Sequence, residues 1–530
     1  MPVAASSTIA SLPAAALIAP RLRVGKLCLA VQGSTPAELF SRAEAARKDS
    51  IFIEFRLDFL AKPLAAIPEL KAFLNRHREV TAIGTCRRKP FGGHFAGSLN
   101  SELELLLKAA EAGCHIIDLE VESAEQSTRP QLAKFRASLR AFGTALLISS
   151  HDFTRTRRPD GLNQTAKRIA AYEPEFVKVV TTARSLADNL AVLQMVQDQS
   201  VESQVIGIAM GEEGLISRVL SPRAGAAFTF ASAGEGIETA PGQVSARTLL
   251  DLFRLEQLDQ ATRVFGVAGN PIAHSLSPIM HLTAFRRENL NAVMLPLKVR
   301  ALDDLLTIVR DLPLDGVAVT MPLKQEVLPY LANMDPLTAK IGACNTLRTG
   351  ADGKIYGFNT DVAGVIRPLE RRLRLKGARV LVIGAGGAAR AAVFGLVDQG
   401  SEVFVVNRTH ERAVSLARKA KAHVLKQNAL AKTRFDVIIN TTPCGMTGIK
   451  QPMSIKESEL NASLVFDMVY TPIETPLLKL AKARGIAVIS GLEMFVQQGA
   501  RQFEIWTGKP APELEMLRVV ELELRRNQQK

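Results

Sequence analysis

Aromatic residues are scarce, with one tryptophan and four tyrosines in 530 residues. Basic residues outnumber acidic ones to a formal net charge of +14. They are dispersed, however, and no basic helix or base-stacking platform accompanies them. The surplus reads as a solvated surface with some attraction for small anions, which excludes a nucleic-acid-binding role. No apolar run approaches the ~18 residues that span a bilayer, so no membrane-spanning helix is expected. The five cysteines (Cys28, Cys86, Cys114, Cys344 and Cys444) are odd in number and far apart. Without CxxC or Cys/His spacing they exclude a disulfide framework and a zinc site, and no metal is expected. A reducing, cytoplasmic setting follows. No acid precedes Glu38, and the start is rich in Ala and Ser; a frayed terminus is preferred there to an organellar transit segment at residues 1–23.

At ~150 residues per domain the length suggests about three domains. The first half alternates short apolar strands with helical stretches. The strands are predicted at 26–32, 51–58, 80–87, 115–122, 144–150, 176–183, 204–211 and 226–232, the pattern of an α/β (β/α)8 barrel over 24–248. In such a barrel the strand ends and inner face carry the chemistry. Polar residues fall there: Glu54, Arg56 and Asp58 alternate with Phe55, Leu57 and Phe59, Arg87 ends a strand, Asp118 and Glu120 end another, and His151-Asp152 follow a fifth. Lys178 sits inside the run Phe176-Val177-Lys178-Val179-Val180. Charges on an inner face are costly unless paired, so they mark a site or a structural ion-pair layer. Burial disfavours an ammonium relative to its neutral amine, so an apolar strand suits a nucleophilic lysine, and a histidine at the next strand end can shuttle protons.

After a polar join at about 245–262 the grammar changes. Strands are predicted at 263–269, 293–298, 316–321 and 354–359, then at 380–383, 402–406, 437–440, 465–468 and 486–489. This is a substrate-binding unit (262–365) followed by a Rossmann unit (366–492), with a final helix pair at 493–528 completing the former. Gly384-Ala385-Gly386-Gly387-Ala388-Ala389 follows a strand and opens a helix, the context that makes a glycine turn a dinucleotide site; the bare helix N-terminus would take the pyrophosphate. The next strand ends in Asn407-Arg408-Thr409 rather than an acid, which favours the 2′-phosphate of NADP, with Arg408 as its contact.

Here the second half resembles shikimate dehydrogenase. Asn270–Pro278 is similar to that family's NP-x-x-HSLSP loop, implying Ser275 and Ser277 on the substrate carboxylate. Val319–Lys324 resembles V-T-x-P-x-K, implying Thr320 as a substrate contact and Lys324 as the catalytic lysine. Gly342–Leu347 and Gly357–Asp361 match two further blocks, implying Asn345 as a contact and Asp361 as the partner of Lys324. A Lys–Asp pair beside a carbonyl is a sensible acid/base unit for ketone reduction. The segments 466–470 and 491–498 imply Met468 and Gly491 at the nicotinamide and Tyr470 and Gln498 at the substrate. Ala318 stands where stand-alone members carry Asn.

The first half resembles type I 3-dehydroquinate dehydratase, through Glu54-Phe55-Arg56-Leu57-Asp58, Ser149-Ser150-His151-Asp152-Phe153, Met210 to Arg218, and Pro241-Gly242-Gln243. The resemblance implies an imine on Lys178, His151 as general acid/base, Arg218 on the carboxylate, and Glu54, Arg56, Arg87, Thr239 and Gln243 as substrate contacts. Phe91 stands where many members carry Glu. Together the halves imply dehydration of 3-dehydroquinate to 3-dehydroshikimate and NADPH-dependent reduction of that to shikimate. A catalytically silent quinate-pathway sensor and an NAD-dependent quinate/shikimate dehydrogenase are the alternatives. The four proton-transfer and imine groups argue against the first, and the missing acid at Asn407 against the second.

Overall fold

The computed structural model describes residues 24–529 apart from 199, 235, 237, 241, 273, 274, 313, 450 and 452. The segment weighed as a transit peptide, Pro241, and Ala273-His274 of the serine loop therefore lie outside the described residues.

Eight parallel strands, β1 (Leu27–Val31), β2 (Phe52–Arg56), β3 (Thr81–Thr85), β4 (Ile116–Glu120), β5 (Ala145–His151), β6 (Phe176–Thr182), β7 (Gln204–Met210) and β8 (Thr229–Ser232), form one sheet in the order β7-β6-β5-β4-β3-β2-β1-β8. A hydrogen bond from the Ala227 amide to the Val205 carbonyl (2.9 Å) brings the chain entering β8 back to β7. Strand alternation sorts the side chains. Odd positions of β2 and β4 pack outward against helices, whereas Phe52, Ile116, Leu147, Phe176 and Phe228 fill the barrel floor. Phe228 meets Phe52 and Phe176 edge-on at 4.8 and 5.7 Å, a favoured aromatic geometry. Two residues further along the same strands stand Glu54, Asp118, Ser149 and Lys178. The expected strand 51–58 stops at Arg56. Leu57–Phe59 forms a 3-10 turn, and Asp58 curls back onto Arg56 instead of continuing the strand face.

The join differs from expectation. It is not a polar linker, because Leu249, Phe253, Leu255 and Leu258 are buried. A π-turn (Thr248–Leu252) and a 3-10 turn (Leu255–Gln257) bury them, and Lys26 Nζ donates to the Glu256 and Leu258 carbonyls at 2.9 and 2.7 Å. One apolar cluster runs from the barrel helices through this join into the second sheet.

That sheet contains β9 (Arg263–Gly269), β10 (Ala292–Lys298), β11 (Leu314–Val319), β12 (Asn333–Met334), β13 (Thr346–Thr349) and β14 (Ile355–Phe358), ordered β10-β9-β11-β13-β14-β12. β13 runs antiparallel to both neighbours. Two- and four-residue strands such as β12 and β13 are too short to show a periodicity, and neither was expected. The third sheet is parallel: β15 (Arg379–Ile383), β16 (Glu402–Val406), β17 (His423–Val424), β18 (Phe435–Asn440), β19 (Ala462–Asp467) and β20 (Ala487–Ile489), ordered β17-β16-β15-β18-β19-β20. Helices Gly491–Thr507 and Glu513–Gln529 return to the second sheet. Trp506 Nε1 donates to the Leu347 carbonyl (2.9 Å), and an Arg367–Glu504 fork (3.0 and 2.7 Å) ties helix Asp361–Glu370 to them. Among the described residues no helix is long and apolar enough to cross a membrane.

Gly316 on β11 packs against Trp506: a Cβ there would lie 2.3 Å from the indole nitrogen and 2.4 Å from the adjoining ring carbon. A rigid, hydrogen-bonded ring cannot yield cheaply, so Gly316→Ala is expected to destabilise the protein by about 1–3 kcal/mol. Denaturant unfolding followed by the fluorescence of this sole tryptophan measures the change.

Candidate active sites

The barrel's polar layer is a closed network of paired charges. Lys178 Nζ donates to Asp118 Oδ2 (3.0 Å), lies 3.9 Å from Glu54 Oε1, and sits 4.1 Å over the Phe230 ring. Its immediate strand neighbours Val177 and Val179 face the outer helices. The side chain is buried among carboxylates rather than hydrocarbon, which the strand sequence alone does not reveal. Glu54 accepts from Thr85 Oγ1 (2.7 Å). Arg56 forks onto Asp58 with both bonds at 2.9 Å. Arg87 Nε donates to Glu120 (2.9 Å) and its terminal nitrogen lies 3.4 Å from Asp118. Ser149 Oγ bridges Asp118 (2.6 Å) and Glu120 (3.0 Å). All these groups are buried. Removing such charges from water costs several kcal/mol each, which only pairing and hydrogen bonding offset.

His151 ends β5 with Nδ1 3.0 and 3.1 Å from the two Glu120 oxygens. A carboxylate at Nδ1 selects the tautomer with its proton there and leaves Nε2 as the base. Burial, then the positive charges of Arg87 and Lys178, hold the imidazole well below its ordinary pKa. Burial pushes the Glu120 carboxyl up to about 7 against the pull of Arg87. Asp118 moves the other way: burial opposes ionisation, but Lys178 and Arg87 hold its carboxyl well below the usual range.

Asp118, Glu120 and Ser149 are therefore the partners that orient Lys178 and His151. The alternation Asp118-Leu119-Glu120 at a strand end signalled them, but no role followed from it. Arg218 is buried, with burial lowering its pKa to about 10, and its guanidinium approaches the Phe230 carbonyl (3.5 Å) behind Lys178. Thr239 and Gln243 are hydrogen-bonded to each other (2.8 and 3.1 Å). A Cβ on Gly242, at φ +66, would meet the Gly211 backbone at 2.4 Å, so this loop seats on the end of β7. Phe91 lies under the Arg88 guanidinium (4.9 Å), whose charge is taken by Glu102 (2.9 Å).

In the second sheet Lys324 Nζ donates to Asp361 Oδ2 (2.6 Å). Buried Asn345 holds the other Asp361 oxygen (2.8 Å), and its own side-chain oxygen accepts the Thr360 amide (2.7 Å). Behind it, Gln502 donates to the Asn345 carbonyl (3.3 Å) and its side-chain oxygen accepts from His281 Nε2 (3.1 Å), a support no sequence motif indicated. Thr320 follows β11, its amide bonded to the Ala268 carbonyl (2.9 Å), and the Asn270 amide donates to the Met321 carbonyl (3.1 Å), which brings the Ser275/Ser277 loop beside the lysine segment. Ala318 is buried on β11 between Thr346 and Val267. Tyr470 packs against Phe495 (5.1 Å), with burial raising its pKa, and buried Gln498 donates to the Phe495 carbonyl (2.9 Å).

At the glycine turn, Gly384 adopts φ +120 and a Cβ there would strike the Thr441 hydroxyl at 2.3 Å. Gly386 and Gly387 are exposed with open space before them, at the N-terminus of helix Gly387–Asp398, and Ala389 is buried. Arg408 and Thr409 are exposed beyond β16, with Asn407 Nδ2 bonded to the Thr409 carbonyl (2.9 Å). Gly491 lies so close to Met468 that a Cβ would sit 2.4 Å from its carbonyl oxygen.

Family models match in the same order: type I 3-dehydroquinase over residues 27–260, the shikimate dehydrogenase substrate binding domain over 267–347, shikimate/quinate 5-dehydrogenase over 368–482, and the shikimate 5'-dehydrogenase C-terminal domain over 491–521. The chain is 34% identical over 479 residues to the chloroplastic bifunctional 3-dehydroquinate dehydratase/shikimate dehydrogenase of Arabidopsis thaliana, covering 87% of this chain and 78% of that one. The chain belongs to this bifunctional family. The second half alone is 39% identical over 264 residues to the NADP(+) shikimate dehydrogenase of Maridesulfovibrio salexigens, covering 49% of this chain and 94% of that one. A solved shikimate 5-dehydrogenase of Thermus thermophilus, in complex with NADP(H) and shikimate, is 34% identical, covers 50% of this chain and 99% of its own, and superposes with a TM-score of 0.46.

A base whose pKa lies well below 6.5 stays unprotonated as the pH falls, so the His151 acid limb of the dehydration profile is expected below pH 6.5. Replacing Glu120 by Gln removes the carboxylate charge that fixes Nδ1–H and puts a donor in place of one oxygen, and kcat is expected to fall by roughly 100-fold, the scale of losing a positioned acid/base. Steady-state dehydration across pH checks both.

Proposed function

We propose that the chain dehydrates 3-dehydroquinate to 3-dehydroshikimate in residues 24–248 and reduces that product to shikimate in residues 262–528, with 366–492 binding NADPH. The observation that carries this reading is the pair of preformed units, Lys178–Asp118 beside His151–Glu120 and Lys324–Asp361 on Asn345.

In the barrel, the Lys178 amine attacks the C3 ketone and water leaves, forming an imine. His151 Nε2 takes the C2 proton and the electron pair shifts into the imine. The C1–oxygen bond then breaks, the hydroxyl departing as water on the proton His151 returns. Hydrolysis of the imine restores Lys178. Arg218 binds the carboxylate, while Glu54, Arg56, Arg87, Thr239 and Gln243 contact the ring hydroxyls or frame the pocket. The network of fixed dipoles and charges stays put while charge moves in the substrate, the arrangement that makes electrostatic stabilisation effective.

In the second half, Ser275 and Ser277 hold the carboxylate, Thr320, Asn345, Tyr470 and Gln498 the ring, and Lys324 gives a proton to the alkoxide as it forms. Asp361 keeps that ammonium aimed. The open, side-chain-free turn Gly384–Ala388 at a helix N-terminus fits a pyrophosphate, Arg408 and Thr409 with Asn407 fit a 2′-phosphate, and Met468 with Gly491 fits the nicotinamide; NADPH bound there supplies the hydride. The NADP(+) relatives support that cofactor.

Lys178→Ala is expected to abolish dehydration, a loss of at least ~10³-fold for a covalent nucleophile, and to leave reduction of 3-dehydroshikimate intact. Lys324→Ala is expected to do the reverse. Separate assays of the two steps decide: loss of both activities in either variant, or of neither, contradicts two independent sites.

A further inference from the structure

Two arginines at the join carry charge that neither proposed reaction uses. Arg254 leaves the π-turn of the join, and Arg286 lies in the last turn of helix Ser277–Arg287. They line a cavity of about 310 Å³ where the join meets the second unit, within the size of small-molecule sites. Their hydrogen bonds go to neutral acceptors only: Arg286 to the Leu252 carbonyl (3.1 Å) and Arg254 to Gln257 Oε1 (3.3 Å). Among the described residues neither has an ion pair. Asp251 acts on Arg286 through space without a salt bridge, and Asp251 and Glu256 line an adjoining cavity with both arginines. Burial, then the like charge of Arg254, lowers the Arg286 pKa against the pull of Asp251.

Leu252, Leu258, Leu282 and Leu290 form an apolar part of the wall. Gln257 and Asn291 add amides to the lining. Guanidinium forks bind carboxylates bidentately, and four leucines suit a hydrocarbon body rather than a bare phosphate. We propose that this cleft binds a small organic anion, a carboxylate carried on an apolar ring or short chain. Helix Ser277–Arg287 joins the cleft to the serine loop, and β9 runs beside it, its Arg263 amide bonded to the Asn291 carbonyl (2.9 Å). Occupancy of the cleft therefore alters shikimate binding, a consequence that rests on the dehydrogenase reading above.

Calorimetric titration of the full chain with benzoate tests the site. The Arg254→Gln/Arg286→Gln variant is expected to lose one benzoate site, or to bind it roughly tenfold or more weakly, the scale of a lost charge-assisted hydrogen bond. Equal stoichiometry and affinity in both proteins would overturn the proposal. Arg286→Lys, which keeps the charge without the fork, is expected to weaken binding while preserving the fold, verified by both turnover rates without benzoate. Inorganic phosphate displacing benzoate at equal concentration would overturn the apolar-ligand assignment. Benzoate is expected to raise the KM for shikimate more in the wild type than in the double variant; equal shifts would overturn the linkage while leaving the calorimetric site standing.

Discussion

The barrel depends on one constraint: charges placed where water cannot reach must neutralise one another. Glu54, Asp58, Asp118 and Glu120 are buried with Arg56, Arg87 and Lys178 in the barrel's polar layer. No member can be removed without leaving another charge buried and uncompensated, so the layer is rigid as well as costly. That rigidity is what a reaction with moving charge requires. The aromatic floor of Phe52, Phe176 and Phe228 supplies the hydrophobic stabilisation beneath it. Strands β2, β4, β5 and β6 each contribute a large apolar residue below and a polar one two positions above, so folding and chemistry use the same alternation.

The second half solves a milder version of the same problem. Lys324 is partly exposed, and one carboxylate, Asp361, holds it. Asn345 anchors that carboxylate, and Gln502 anchors Asn345 from the C-terminal helix pair. The last helices of the chain therefore support a site built from segments far earlier in the sequence. The glycine turn lies at the end of β15, the central strand of a separate parallel sheet, where strand ends leave a crevice for a dinucleotide. The buried join fuses the barrel's helices to β9, so the two halves share apolar contacts rather than a free tether.

Strands were legible where an alternating or continuous apolar pattern ran for five residues or more, as in Phe52–Arg56 and Arg379–Ile383. They were not where the element was two residues long, as in Asn333–Met334. Lys178 and His151 were identifiable from their positions at strand interiors and ends. Their partners were harder, because which carboxylate meets which cation is set by strand register: Asp118 lies opposite Thr85 and Leu147, and Ser149 opposite Lys178. The apolar sequence around Lys178 described Val177 and Val179, which point out of the barrel, and Phe176 and Val180 above and below it, not the ring of acids that its side chain meets. Gln502 and the join's two arginines carry no motif and become visible only through packing.

The central claim is that Lys178, in its carboxylate cage, is the nucleophile of the first step. Borohydride reduction in the presence of 3-dehydroquinate, read by intact and peptide mass spectrometry, tests it most directly. The account predicts a single ligand adduct on the peptide containing Lys178, absent without the ligand. An unmodified Lys178 in protein that turns over the substrate, or an adduct on another lysine, would contradict it.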